Sequence, residues 1–428
     1  MAREMKDSGF AWIKEIPLDW GVYNLRYKFT FGKGLPITKE NLKETGISVI
    51  SYGQIHSKAN TGTTIIPALI RYVDESYLDS NSDSLVHSED FIFADTSEDI
   101  EGCGNCVYVD TDELLFAGYH TIILRSKEKE NNRYLAYLFK SDIWRKQIRE
   151  RVTGVKLFSI SQKILRETTI ILPPKTEQIT IANFLDTECA RIDAVIEQTR
   201  ASIEEYKKLK QAVITQAVTK GIRPNRPMKD SGVDWIGAIA NDFQVMKLKY
   251  ICDILDNFRS PITADQRNQD AEILYDYYGA SGAIDKIDGY TIDDHVMLIG
   301  EDGANLRMRN LPLMYEVNGK AWINNHAHIL KPKNNIQFYY LFFALEALDI
   351  NPYITGSAQP KLSQENLQNI WVPVPSCEEQ IEIVNYIQNK INVIDAIKKK
   401  KEDFLNEMDL YKKSVIFEYV TGKKEVPL

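Results

Sequence analysis

The sequence predicts a mixed α/β protein in which two globular domains are joined by two long coiled-coil helices, antiparallel about a pseudo-two-fold axis. Three observations predict it: a duplicated register, two sustained helical seams, and strand-like runs confined to the stretches before each seam. A chain of 428 residues exceeds what one core ordinarily supports, so at least two domains are expected. Its hydrophobic fraction of 44% and charged fraction of 26% are those of a packed globular protein, which argues against extensive disorder.

Met5-Lys6-Asp7-Ser8-Gly9 returns as Met228-Lys229-Asp230-Ser231-Gly232, and the same offset of 223 carries Trp12 onto Trp235, Ile16 onto Ile239, Asp19 onto Asp242 and Leu25 onto Leu248. Later in each half the offset is 202: Thr153-Gly154 onto Thr355-Gly356, Ser161-Gln162 onto Ser363-Gln364, Pro173 onto Pro375, Glu177-Gln178 onto Glu379-Gln380. Both ends of a module are therefore shared while its middle differs in length and content. The order is also circular, because one MKDSG string follows the first seam directly and the other lies at the opposite end of the chain from the second seam. Residues 5–20 are expected to pack near 415–428, as 228–243 do near 213–226.

The expected domains are 1–172 and 223–374, each followed by a spacer helix, 173–222 and 375–428. Within the domains, strand-like runs at Ile47 to Tyr52, Ser88 to Ala94, Thr121 to Arg125 and His295 to Gly300 alternate with clusters of Gly, Asn and Asp. Short helices are expected at 131–150 and 335–348. The first seam runs through Leu185, Cys189, Ile192, Ile196, Thr199, Ile203, Tyr206, Val213 and Ala217, broken at Lys210. At 1.5 Å per residue it spans on the order of 60 Å. The second runs through Val384, Ile387, Ile391 and Ile394, breaks at Lys398 to Lys401, and resumes at Leu405, Met408 and Val415. A proline-bearing segment precedes each helix, with acids in the first turn to suit its dipole, and Gly221 or Gly422 follows. Such seams serve intramolecular packing alone, or packing together with a docking role.

A net charge of −8 weighs against coating nucleic acid by bulk attraction and leaves local basic surfaces open. No Asn-Pro-Pro-aromatic or Asp-Pro-Pro-aromatic motif of an amino-methyltransferase occurs; Asn351-Pro352-Tyr353 lacks the second proline and reads as a turn. Phosphate-loop and HExxH motifs are missing as well. His326 and His328 alternate as in a strand, which suits a polar strand face or satisfied core histidines better than a metal site. Asp95, Glu98 and Asp99 lack a following ExK and read as an acidic loop. Cys103 and Cys106 form one CxxC without a second pair, so a turn around Gly102 and Gly104 is expected rather than zinc; five scattered cysteines suit a reducing compartment. The N-terminus lacks a signal-peptide core and no apolar run reaches a membrane span, so a cytoplasmic location without membrane contact is expected.

The strings LPPKTEQITIANFLDTECARID and VPVPSCEEQIEIVNYIQNKINVID, the YYGASGAIDKIDGY, LIGEDGANL and WINNHAHIL segments, and the TG…SQ loop before each proline turn resemble the specificity subunit of type I restriction-modification systems. The resemblance covers nearly the whole chain. It implies a non-catalytic DNA-recognition subunit whose two target recognition domains each bind half of a bipartite site in double-stranded DNA. It also implies two methyltransferase partners and, where present, restriction subunits; S-adenosylmethionine, and ATP with Mg, would belong to those partners and no cofactor to this chain. FADTSEDIEGCGNC stands where the second half has LIGEDGANL, and Ser376 replaces Pro174. Such divergence leaves the DNA sequence open and implies an asymmetric target.

Candidate DNA contacts come from the divergent middles: Gln54, Lys58, Arg71, Lys156 and Ser159 in the first, Arg259, Arg267, Arg307, Arg309, Gln359 and Lys361 in the second. The loops from Gly154 to Ser161 and from Gly356 to Ser363 are the strongest pair, because they repeat in frame yet read VKLFSI against SAQPKL. Spacer and partner-docking positions are Glu177, Gln178, Leu185, Ile192, Ile196, Glu379, Gln380, Ile387 and Ile394. Rival readings are a self-sufficient DNA methyltransferase or nuclease with an unrecognised motif, and a coiled-coil adaptor that binds only proteins.

Overall fold

The structure is a computed structural model that describes residues 3–128, 132–234, 236–263, 265, 267 and 271–427; Trp235, the repeat partner of Trp12, lies outside them. Two compact units form, one from Met1–Gln198 with Asp403–Leu428, the other from Thr199–Glu402. Two long helices, Lys175–Lys220 and Cys377–Val420, each give one half to each unit. In the first unit Phe184 packs on Tyr419 with ring centroids 4.4 Å apart, and Lys412 reaches Asp193 at 2.6 Å. In the second, Lys401 lies over Tyr206 and Lys210 reaches Asp395 at 2.8 Å. One number rises as the other falls, so the helices run antiparallel within each unit. Lys210, which breaks the apolar seam, is accommodated by that ion pair.

The circular order is realised in the first unit. Met5–Asp7 pairs with Glu15–Pro17, and Ile13, Ile16 and Trp20 enter one apolar cluster with Val415, Ile416, Tyr419 and Val420. In the second unit Met228–Asp230 pairs with Ala238–Ala240, and Ile239 and Phe243 join Ile214, Ala217 and Val218. A clamp at the start of each long helix repeats as well. Arg3 lies over the Trp20 ring and bonds Glu177 and Asp19; Arg226 lies over the Phe243 ring and bonds Glu379 and Asp242. These carboxylates hold both guanidiniums above their ordinary pKa against the opposing effect of burial.

Above this frame the first unit carries an antiparallel sheet in the order Cys106–Tyr108, Phe91–Ala94, Thr121–Ser126, Phe29–Lys33. A second four-stranded sheet contains one parallel pair, Leu115–Ala117 with Ile47–Ile50. The second unit has a single six-stranded sheet in which Cys252–Ile254, Ala327–Pro332, Ile292–Gly300 and Met314–Ile323 are neighbours. The expected helix at 131–150 is two, Asn132–Lys140 and Asp142–Arg149, because Ser141 leaves helical geometry and caps the second by accepting from the Trp144 amide. Its counterpart is Phe338–Ala347. From these helices Tyr134 donates to the Ile171 or Val420 carbonyl, and Tyr340 to that of Pro373 or Val218, both from full burial that pushes the phenols well above their usual pKa.

Leu185, Ile192, Ile196, Ile387 and Ile394 are buried inside the chain, as are Gln178, Glu379 and Gln380. Gln178 and Gln380 each turn back to a proline carbonyl, Pro173 and Pro375. Buried in this way, these side chains serve packing within the chain. The CxxC is a turn: Asn105 donates to the Gly102 carbonyl, and both cysteines are buried, which pushes the Cys106 thiol up to about 12. Among the described residues no helix is long and apolar enough to cross a membrane.

Candidate nucleic-acid interface

In each unit a sheet strand, the start of its neighbour and a hairpin meet at one rim. Strand Phe91–Ala94 continues into Asp95, whose amide donates to the His120 carbonyl at 3.1 Å and whose carbonyl accepts from Ile160 at 2.7 Å. In the second unit the Glu301 amide donates to His326 at 2.8 Å and its carbonyl accepts from Leu362 at 2.7 Å. The hairpins are closed by matching bridges, Thr153 with Ser159 and Thr355 with Lys361. A second bridge ties each base to the rim, Ser159 opposite Thr96 and Lys361 opposite Asp302.

The turn of each hairpin requires glycine. Gly154 has φ +152° and Gly356 φ +77°, and a Cβ would lie 2.1 Å from the Leu157 carbonyl oxygen in one, 2.3 Å from that of Gln359 in the other. Beyond the hairpins, Ser161 and Ser363 cap short helices by accepting from Ile164 and Asn366 amides. Each loop is thus fixed at both ends by backbone chemistry, and its tip is free to vary. Val155, Lys156 and Leu157 are exposed at the first tip, Ser357, Ala358 and Gln359 at the second.

The surroundings differ. Beside the first hairpin the Tyr52 ring meets Tyr119, His120 and His56 edge-on, and His56 is held by Asn105 and the Thr96 carbonyl. Beside the second, Glu301 gathers Arg259 and Lys361, the latter at 3.1 Å, with His328 nearby. Burial would raise the Glu301 carboxyl, but the bonds from Arg259 and Lys361 leave it below the usual carboxylate range. His328 is the satisfied core histidine, bonded to Asp256 at 2.6 Å and the Leu362 carbonyl at 2.8 Å, whereas His326 is exposed on Asp302.

Four of the expected contacts lie on the hairpins: Lys156 and Gln359 at the tips, Ser159 and Lys361 at the bases, all exposed. Lys156 and Lys361 are not equivalent, since Lys361 stands where the first unit has Ser159. Arg259 joins the rim but is clamped between Asp256 and Glu301. The remainder lie apart from the hairpins. Gln54 accepts from the Ser51 amide and holds the turn that carries Tyr52, and Lys58 is exposed in the loop that follows. Arg71 lies on an outer strand with its guanidinium on the Ala68 and Ile70 carbonyls. Arg267 pairs with Asp285 at 3.0 Å over the Tyr277 ring, and Arg307 is exposed and donates to Ile354. Arg309, at φ +52°, donates to the Glu346 and Leu348 carbonyls at the end of helix Phe338–Ala347.

His120, Tyr52 and Tyr119 are not among the sequence-predicted site residues, and Asp95 reads from sequence only as part of an acidic loop. Their one signal was a histidine just before a strand in both halves, in Tyr119-His120-Thr121-Ile122 and Asn325-His326-Ala327-His328.

The model of the type I restriction modification DNA specificity domain matches residues 17–205 and 240–407. The chain is 25% identical over 97% of its length, and 96% of the relative's, to a putative type I restriction enzyme specificity subunit, MjaX, of Methanocaldococcus jannaschii. A second putative specificity subunit, of Haemophilus influenzae, is 31% identical over 33% of this chain and 35% of its own length. A solved chain described under complex assembly and conformational transition of the type I R-M system aligns at TM-score 0.71 and 16% identity, covering 96% of this chain and 99% of that one. The HsdS subunit of Thermoanaerobacter tengcongensis aligns at 0.53 and 18%, covering 96% and 98%. These likenesses show the fold.

Proposed function

The chain belongs to the type I restriction-modification DNA specificity family, and from that premise we propose that its two units read the two unlike halves of an asymmetric, interrupted DNA site. One observation carries the reading: the same glycine-turned hairpin stands on the same rim in both units, with a backbone that repeats and tips that do not. A loop whose frame is held while its solvent-facing content changes suits a surface selected for different sequences. Two joined readers multiply discrimination, because each well-placed base contact contributes about 1 to 3 kcal/mol against a large excess of wrong sites. The helices of 46 and 44 residues, about 69 and 66 Å at 1.5 Å per residue, serve as the spacer.

In this reading the chain has no catalysis of its own. Two methyltransferase subunits carry the S-adenosylmethionine chemistry, restriction subunits add cleavage where they are present, and the complex works in the cytoplasm. Exposed helix positions such as Ile179, Leu209, Ile381, Val393 and Leu410, rather than the buried seam, are the surface such partners would use. Sequencing of methylated bases in cells with and without this chain tests the reading. An interrupted, asymmetric motif that vanishes with the chain is expected. A contiguous motif, or methylation by the purified chain alone, would favour a self-sufficient enzyme.

A further inference from the structure

Both units place one histidine at the same point of the rim, although the segments that carry them share little sequence. His120 stands directly before strand Thr121–Ser126 and His326 directly before Ala327–Pro332. Each imidazole is turned the same way, with Nδ1 on a carboxylate: His120 on Asp95 Oδ1 at 3.2 Å, His326 on Asp302 Oδ2 at 2.7 Å. The two acids come from different places. Asp95 is the residue whose amide meets the histidine's carbonyl, whereas Asp302 is one residue beyond Glu301, which holds that place in the second unit. One side-chain geometry is thus reached by two routes. Packing does not demand it, since the histidine side chains are 59% and 50% exposed. In the first unit a groove lined by Lys33, Tyr119, Lys163 and Ser159 also contains His120, which puts the imidazole and the hairpin base on one surface.

A bare carboxylate at a surface facing DNA is repelled by phosphate, so its presence there in both units calls for a role through its partner. A carboxylate that accepts from Nδ1–H fixes the tautomer of a neutral imidazole and leaves Nε2 as an acceptor. Among the described residues neither Nε2 has a hydrogen-bond partner. Phosphate oxygens offer no proton to such an atom. The exocyclic amino groups of adenine N6 and cytosine N4 in the major groove do.

We propose that His120 and His326 are base-reading residues, one for each half-site, accepting through Nε2 from an exocyclic amino group of adenine or cytosine, with Asp95 and Asp302 as their positioning residues. This rests on the reading that each unit binds one half-site.

The test is competition binding by the assembled methyltransferase complex against a set of duplexes in which every base pair of the site is changed in turn. His120→Ala is expected to lose discrimination on the order of tenfold at one position of one half-site, leaving the other half-site intact, and His326→Ala to give the mirror result. Asp95→Asn and Asp302→Asn should relax the same positions less, at unchanged melting temperature. A duplex whose base at that position lacks the amino group should bind the wild-type complex as weakly as the native duplex binds the variant. Equal weakening on all sequences marks a backbone contact and overturns the inference, as does unaltered selectivity in both histidine variants. A wild-type complex that selects no interrupted site overturns the underlying reading and the inference with it.

Discussion

The hairpins of the two units differ at their tips and agree everywhere that backbone geometry is set. Gly154 and Gly356, the bridging threonines and the capping serines repeat because each satisfies a steric or hydrogen-bond requirement of the main chain. Val155, 93% exposed, satisfies none, and its counterpart is Ser357. The clamps at the starts of the long helices teach the same lesson in a buried setting. Arginine, carboxylate and aromatic ring recur, but Trp20 adds an indole N–H that donates to Glu177 at 3.0 Å, where Phe243 has nothing to donate. What repeats between the units is whatever the fold needs to close.

The clamps give the largest effects. Glu379→Ala leaves the Arg226 guanidinium without its buried partner and is expected to cost about 3 kcal/mol in denaturant unfolding. Glu177→Ala should cost a similar amount by a different route, part of it from the orphaned Trp20 N–H. In a Trp20→Phe background, which gives the first clamp the second's composition, the Glu177→Ala loss should shrink by about 1 kcal/mol. An unchanged loss would remove the indole from the comparison.

Much of this frame was legible in the sequence because it repeats letter for letter. The offset of 223 located the N-terminal hairpin against the end of the second long helix, and the offset of 202 located the glycine-turned hairpin before each proline segment. The rim histidines obey neither offset, since His120 and His326 are 206 apart across middles of different length, and no string shared by the two halves flanks them. The carbonyl bonds of Arg309 were not legible, because a left-handed, carbonyl-capping arginine has no sequence signature. What covers the seam isoleucines was not legible either, because periodicity says which face is apolar and not what covers it.

A further pair separates the units by charge. Lys140 and Glu346 lie six residues beyond the equivalent tyrosines Tyr134 and Tyr340, near the ends of their helices. Burial pushes the Lys140 ammonium down to about 8 and the Glu346 carboxyl up. A lysine with a folded pKa below its unfolded value binds fewer protons when folded, so its penalty is full below about pH 8 and fades as pH rises toward 10.5. Lys140→Met is therefore expected to stabilise by about 1 kcal/mol at pH 7, with the gain lost by the alkaline end of that range. Glu346 has the opposite sign: its penalty grows as pH rises from 4.5 through its raised value. Yet its carboxylate accepts from the Leu313 and Met314 amides, so Glu346→Gln should gain less than Lys140→Met. Urea midpoints of the two variants across pH 5 to 10 check the signs.

The hairpin tips should give smaller, local effects. Gly154→Ala and Gly356→Ala force a Cβ against a carbonyl at positive φ, a strain of about 1 to 3 kcal/mol that the loop relieves by moving. Each is expected to blunt selection at its own half-site only, read from the methylated motif of cells carrying the variant. Loss at both half-sites from either change would mean that the two readers are not independent.

The lysines give the smallest effects and divide the hairpins most finely. Lys156 stands at an exposed tip and belongs to no ion pair among the described residues, so its charge is available to phosphate. Lys361 is held on Glu301 at 3.1 Å, within a carboxylate cluster that Arg259 already serves. Removal of either should weaken binding to cognate DNA, and a lysine on phosphate should also lower the salt dependence of binding by about one counterion. Lys156→Ala is expected to show that drop in full. Lys361→Ala should show less of it, because the side chain is already partly neutralised in the free protein and its loss leaves Glu301 less compensated. Mobility-shift titrations of the assembled methyltransferase at several salt concentrations separate the two, and identical slopes for both variants would show that Glu301 does not restrain Lys361 when DNA is bound.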